Sequence, residues 1–204
     1  NSLAEFAVTT AMMATLATTA APRFSGIGEG AKEKKSLAEI DKIVIASSNF
    51  FNSKVTTEGR GRFPGQEKYN VQVGGYASEI QLLSVIGSDA DTPFDGYDNA
   101  EGANWRSIFG VGAEGAPKAS DSNVLDDDGS IEGDVEFMAE FANNAIKSPY
   151  QDGHYIYIVL PGGVDYVDPD GDGTYVAVSC NECSPILYVA DNEDPSKLFK
   201  KYQP

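Results

Sequence analysis

Asp168-Pro169-Asp170-Gly171-Asp172-Gly173-Thr174 places three carboxylates at alternate positions with a glycine after the third. That spacing folds a short loop around a hard divalent cation. The side chains of Asp168, Asp170 and Asp172 and the carbonyl of Thr174 are the expected ligands, and Asp165 could complete the shell. An EF-hand would need Glu at the twelfth loop position, which here is Ser179, inside an apolar run. The expectation is therefore a calcium loop between strands. Mg²⁺ fits less well because it keeps its waters. Asp126-Asp127-Asp128-Gly129-Ser130, with Glu132 and Asp134 following, is a weaker echo and reads as a solvated acidic loop ahead of a helix.

Cys180-Asn181-Glu182-Cys183 is the only cysteine pair. A redox-active pair would need a thiolate-stabilising setting of the thioredoxin kind, and a zinc site would need four ligands where the chain has one histidine, His154. A small structural disulfide in an oxidising compartment is the reading preferred. With a single histidine, no Ser-His-Asp or Cys-His centre is marked by the sequence. Gly26-Ile27-Gly28-Glu29-Gly30 has no strand before it and does not read as a phosphate loop. No enzyme activity is expected.

Glu5 is the only charged residue between Asn1 and Arg23. A lone carboxylate in an apolar helix is costly to desolvate and calls for a partner. The α-amino group of Asn1, its own or a neighbouring copy's, is the nearest candidate. The segment from Ser2 to Ala21 is about 20 residues, which at ~1.5 Å per residue spans a hydrocarbon core of roughly 30 Å. Its threonines dilute it, so it should enter a membrane and also leave one. An ordinary secretory signal is the competing reading, but it would need a positive region ahead of the apolar run.

The charge is unevenly placed. The chain has 15 basic and 31 acidic residues in 204, and 24 of the acids lie between Tyr69 and Ser196 against three basic residues. Such a surface repels phosphate, so no nucleic-acid contact is expected from this region. Divalent cations and solvent are its natural partners.

These groups must be held by ordered elements. Pro22, Gly26, Gly28 and Gly30 disfavour helix, so residues 22 to 30 are expected to be irregular in at least one state. Leu37, Ile40, Val44, Ile45, Phe50 and Phe51 predict an amphipathic helix over 31 to 52. Residues 53 to 149 read as a loop-rich insert. Short elements are expected at Val71 to Val73 and Ile80 to Ile86, and a helix within 131 to 146 on which Val135, Met138, Ala139, Phe141, Ala142 and Ile146 share a face. Tyr155 to Leu160, Tyr175 to Cys180 and Ile186 to Ala190 predict an antiparallel meander over 150 to 204.

The first residues carry a resemblance. Asn1-Ser2-Leu3-Ala4-Glu5-Phe6, with Pro22, is similar to the mature N-terminus of type IV pilins and pseudopilins. Leu3, Glu5 and Pro22 match; Asn1 and Ala4 depart from the usual aromatic and branched aliphatic residues. The specific resemblance covers roughly residues 1 to 30. It implies an α+β fold with a long N-terminal helix. Residues 1 to 30 would anchor and polymerise the subunit, and residues 31 to 204 would form a head in which the amphipathic half-helix packs on the sheet. It further implies a structural subunit of an extracellular filament, a helical homopolymer in which Glu5 pairs with a neighbour's N-terminal amine. The partners implied are the membrane and an inner-membrane assembly machinery before assembly, and other copies of the chain afterwards. A secretion-system pseudopilin, a membrane-anchored calcium-dependent adhesion module and an exported thiol oxidoreductase are the competing functions.

Overall fold

The computed structural model describes residues 27–86, 104–110, 133–151 and 153–204. Asn1, Glu5 and Pro22 lie outside them, as do Asp126 to Glu132 of the second acidic run.

Helix α1 runs Ile27–Glu58. Glu33, Ser36, Ile40, Ile43, Ser47 and Phe50 recur every three or four residues and form its buried face. Gly59, with φ of 80°, ends it in the left-handed conformation that glycine adopts most readily. The helix begins earlier and ends later than predicted. Gly28 and Gly30 lie inside it, where an added Cβ would meet only open space. Two glycines in the first turns weaken the helix without preventing it, since the packed half downstream supplies the stability.

Short helices α2, Glu79–Ile86, and α3, Gly133–Glu140, follow. The strands are β1, Arg106–Ser107; β2, Tyr155–Leu160; β3, Val164–Val167; β4, Val176–Ser179; β5, Ile186–Asp191; and β6, Phe199–Tyr202. The main sheet has the order β1-β2-β5-β6 with every neighbour antiparallel. All six residues of β2 are buried. Tyr155, Tyr157 and Val159 face α1 with Leu187 and Val189, while Ile156, Ile158 and Leu160 face Trp105, Leu82 and Tyr76. The described residues thus form an α+β fold, with a central antiparallel sheet covered on both faces.

The predicted meander is corrected. β2 pairs directly with β5, from Tyr155↔Asp191 to Leu160↔Ile186. β4 leaves the sheet altogether and pairs with β3 as a separate two-stranded arm. The reason is burial. β2 and β5 are apolar on both faces and suit a covered central position, whereas all four residues of β4 are exposed. The region from Val71 to Val73 gives one bridge, Val73↔Val159, and Ile80 to Ile86 is helical. In α3, Phe137 is fully buried and Met138 packs against the core, whereas Val135 is 55% exposed; Phe141 and Ile146 also pack on the core but lie beyond the helix's end at Glu140.

Candidate functional site

Two polar constellations stand out, one on the arm and one where α1 meets the sheet.

At the tip of the arm, both carboxylate oxygens of Asp168 accept backbone amides of its own loop: Gly171 N at 2.8 Å, Asp172 N at 3.2 Å and Gly173 N at 2.9 Å. Asp172 Oδ1 accepts Thr174 N at 2.8 Å. That bond, with the Thr174 side chain, holds the Asp172 carboxyl below the usual range. Gly173, φ 85°, makes the sharp turn that a cation loop needs at its sixth position. Asp168, Asp170, Asp172 and Thr174 thus share one tight acidic turn at the tip of the arm. Asp165 sits on β3 and accepts the Tyr166 amide at 2.8 Å. Among the described residues, no three His, Cys, Asp or Glu side chains are gathered closely enough to hold a metal ion.

At the base of the arm, Cys180 and Cys183 form a disulfide with Cα atoms 5.3 Å apart. Gly163 N donates to Cys183 O at 2.8 Å and Cys180 N donates to Gly163 O at 3.0 Å. Arg60 lies over the Tyr69 ring and donates to Asn181 O. The bridge thus belongs to a turn that ties the arm to the chain just beyond α1.

The second constellation was not legible from motifs. Asp191, at the end of β5, is fully buried. Its Oδ2 accepts Ser36 Oγ at 2.6 Å and Ser148 Oγ at 2.7 Å, and its Oδ1 accepts Glu193 N at 3.1 Å. Ser36 Oγ also lies 3.4 Å from the Tyr155 hydroxyl. One turn earlier on α1, Glu33 is 4% exposed. Burial raises the Asp191 carboxyl, against the opposing pull of Ser36, Ser148 and the Glu193 amide. Burial likewise raises Glu33, opposed by Lys197 and reinforced by Asp194. Desolvation, then Glu33 and Asp191, pushes the Tyr150 phenol up to about 12. Beside this seam lies an open cavity of about 300 Å³ with Phe109, Ile146, Ser148 and Tyr155 in its walls. Ser148 donates directly to Asp191 with no imidazole interposed, so the pair ties the segment before β2 to the sheet. The signal that could have found this seam is the three- and four-residue spacing that puts Glu33 and Ser36 in line with Ile40, Ile43 and Ser47.

A further clamp holds the chain after α1. The Arg62 guanidinium bonds both oxygens of Glu136 at 3.0 Å, and Glu58 at 2.9 and 3.2 Å. Glu136 Oε1 also accepts Gly65 N at 2.9 Å. Desolvation would lower the Arg62 pKa, but its bonds to Glu136 and Glu58 outweigh it and the net shift is upward.

No protein-family model, curated protein or solved structure matches this chain. Among the described residues, no helix is long and apolar enough to cross a membrane.

Proposed function

We propose that this chain is a type IV pilin-like subunit of an extracellular filament. One observation carries the reading. The described part of the N-terminal helix is anchored on an antiparallel sheet by its amphipathic face, and its N-terminal end continues in sequence into the apolar segment that bears Glu5. That is the arrangement the N-terminal resemblance implies.

In this proposal the apolar segment holds the subunit in the membrane before assembly. Glu5 then pairs with the α-amino group of a neighbouring copy, offsetting the desolvation of both charges. A different register would leave a buried charge unpaired, so the pair fixes the axial step. The seam at Ser36 and Asp191 keeps α1 attached to the head while the rod is drawn into the polymer. The protein is read as structural rather than catalytic. The acidic arm faces solvent, and calcium is the cation its loop would hold, through Asp168, Asp170, Asp172 and the Thr174 carbonyl. A bound ion would cancel clustered negative charge and stiffen the tip.

Glu5→Ala and Glu5→Gln test the mechanism. Both are expected to leave the head folded and to abolish or scramble filaments. Normal filaments from either variant would overturn it.

A further inference from the structure

Strand β4 is the outer strand of the arm. β3 lies between it and the rest of the head, where Tyr166 Oη donates to Ala77 O at 3.2 Å and Gly162 N donates to Tyr69 O at 2.9 Å. Among the described residues, no strand lies beside the other edge of β4. Tyr175, Val176 and Val178 are 49%, 45% and 38% exposed. Exposed edges are normally blunted by a Lys, a Pro, a bulge or a cover. The edge of the main sheet follows that rule, since β6 carries Lys200 and Lys201, paired with Asp41 and Glu79. Thr174-Tyr175-Val176-Ala177-Val178-Ser179 has no such device.

The hydrogen-bond phase says which groups are offered. Cys180 N donates to Gly163 O, so Gly163 and Cys180 form a bonded pair. Bonded and non-bonded pairs alternate along an antiparallel ladder. Asp165↔Val178 and Val167↔Val176 are then the bonded pairs with β3, and Tyr175, Ala177 and Ser179 turn their N–H and C=O groups outward.

We propose that β4 pairs antiparallel with β4 of a second copy of this chain, about a two-fold axis at Ala177, joining the two arms into a four-stranded sheet. The sequence is self-complementary in that register. Ala177 meets Ala177 with both outward groups reciprocated, and Tyr175 meets Ser179 on each side, for about six main-chain bonds. Each Val176 then lies opposite a Val178, a β-branched pair on the exposed face. The antiparallel sense also separates the charges. A parallel alignment would set the two Asp168 to Asp172 tips side by side, whereas this one sets each tip against the other arm's base, where Arg60 is held against Asn181 O and the Tyr69 ring. The contact is small and isologous. It gains most between heads already held close together, where the effective concentration is high. It does not depend on Glu5.

The test uses the full-length chain in detergent, with Glu5→Ala as a second background. In the proposed register the two Ala177 Cα atoms lie about 5.5 Å apart, within disulfide range, while the two Tyr175 positions are about 14 Å apart. Under mild oxidation Ala177→Cys should give a covalent dimer on the order of tenfold faster than Tyr175→Cys, in both backgrounds. Mass spectrometry would assign the bond between the two introduced cysteines. Ala177→Pro removes an outward N–H and leaves the β3 ladder intact. It should abolish the non-covalent dimer in sedimentation, as should Val178→Lys. Equal cross-linking at 175 and 177, or a dimer that survives both Ala177→Pro and Val178→Lys, would overturn the proposal, as would a chain that stays monomeric at every concentration.

Discussion

Ser36 of α1 donates a 2.6 Å hydrogen bond to Asp191 at the end of β5, across 155 positions of sequence. This contact, the Ser48–Tyr202 hydroxyl pair and the Lys200–Asp41 ion pair fasten the helix to the sheet by polar means, beside the apolar contacts of Ile40 and Ile43. Asp191→Ala should leave two buried hydroxyls without their acceptor and lower stability by about 1–3 kcal/mol. Urea unfolding followed by circular dichroism measures it.

The same residue gives a pH dependence with a defined sign. Its folded pKa is raised, so the folded state holds the proton more tightly than the unfolded state. The stabilisation is fully present below the unfolded pKa, and is lost as pH rises through the folded value. Glu33 contributes in the same direction. Asp191→Asn should therefore gain stability relative to wild type as pH rises from about 4 to about 7. Urea midpoints at several pH values read the difference, and a variant that loses stability relative to wild type as pH rises would contradict the assignment.

Gly28 and Gly30 have open space at their Cβ positions. Gly28→Ala and Gly30→Ala should each stabilise the helix by about 1 kcal/mol. In the filament proposal the same changes stiffen the end of the segment, residues 22 to 30, that the sequence marks as irregular in at least one state, so they should slow assembly. Thermal melts and filament yield from the two variants check both halves of the statement.

Arg62 is 5% exposed and joins α1, the following loop and α3 through Glu58 and Glu136. Arg62→Ala strands Glu136 and should cost about 3 kcal/mol. Arg62→Lys should recover only part of this, because an ammonium cannot reproduce the two-oxygen contact with Glu136.

Calcium binding to the arm is testable by calorimetry. The expected result is one site in the wild-type chain and none in an Asp168→Asn, Asp172→Asn double variant. Bound ion at a hundredfold excess over Kd would raise the stability of the part it holds by about 2.7 kcal/mol.

Much of the head was readable from residue order. Tyr155 to Leu160 is an unbroken apolar run and became β2 with the predicted bounds, and Ile186 to Ala190 became β5 with one residue more. The amphipathic half of α1 was readable from Leu37, Ile40 and Val44. Three features were not. Val164–Val167 is interrupted by Asp165, and Phe199–Tyr202 by two lysines that pair with Asp41 and Glu79, so neither strand announced itself by hydrophobic pattern. Glu33, Ser36 and Asp191 are polar side chains on buried faces, and polarity alone assigns such residues to the surface. Their burial follows from long-range packing of α1 on β5, which no local window contains. The arm was misplaced for the converse reason. Val176 and Val178 have strand-like types but are exposed, because β4 pairs only with β3.

The central claim is that this chain polymerises through its N-terminal segment. The most direct measurement is electron microscopy of filaments sheared from the source cells, with mass spectrometry to identify their subunit. The account predicts helical filaments built of this chain, with the apolar segment and the start of α1 lining the axis and the acidic arm outside. Finding the chain only as a membrane-bound monomer, absent from every filament, would contradict it.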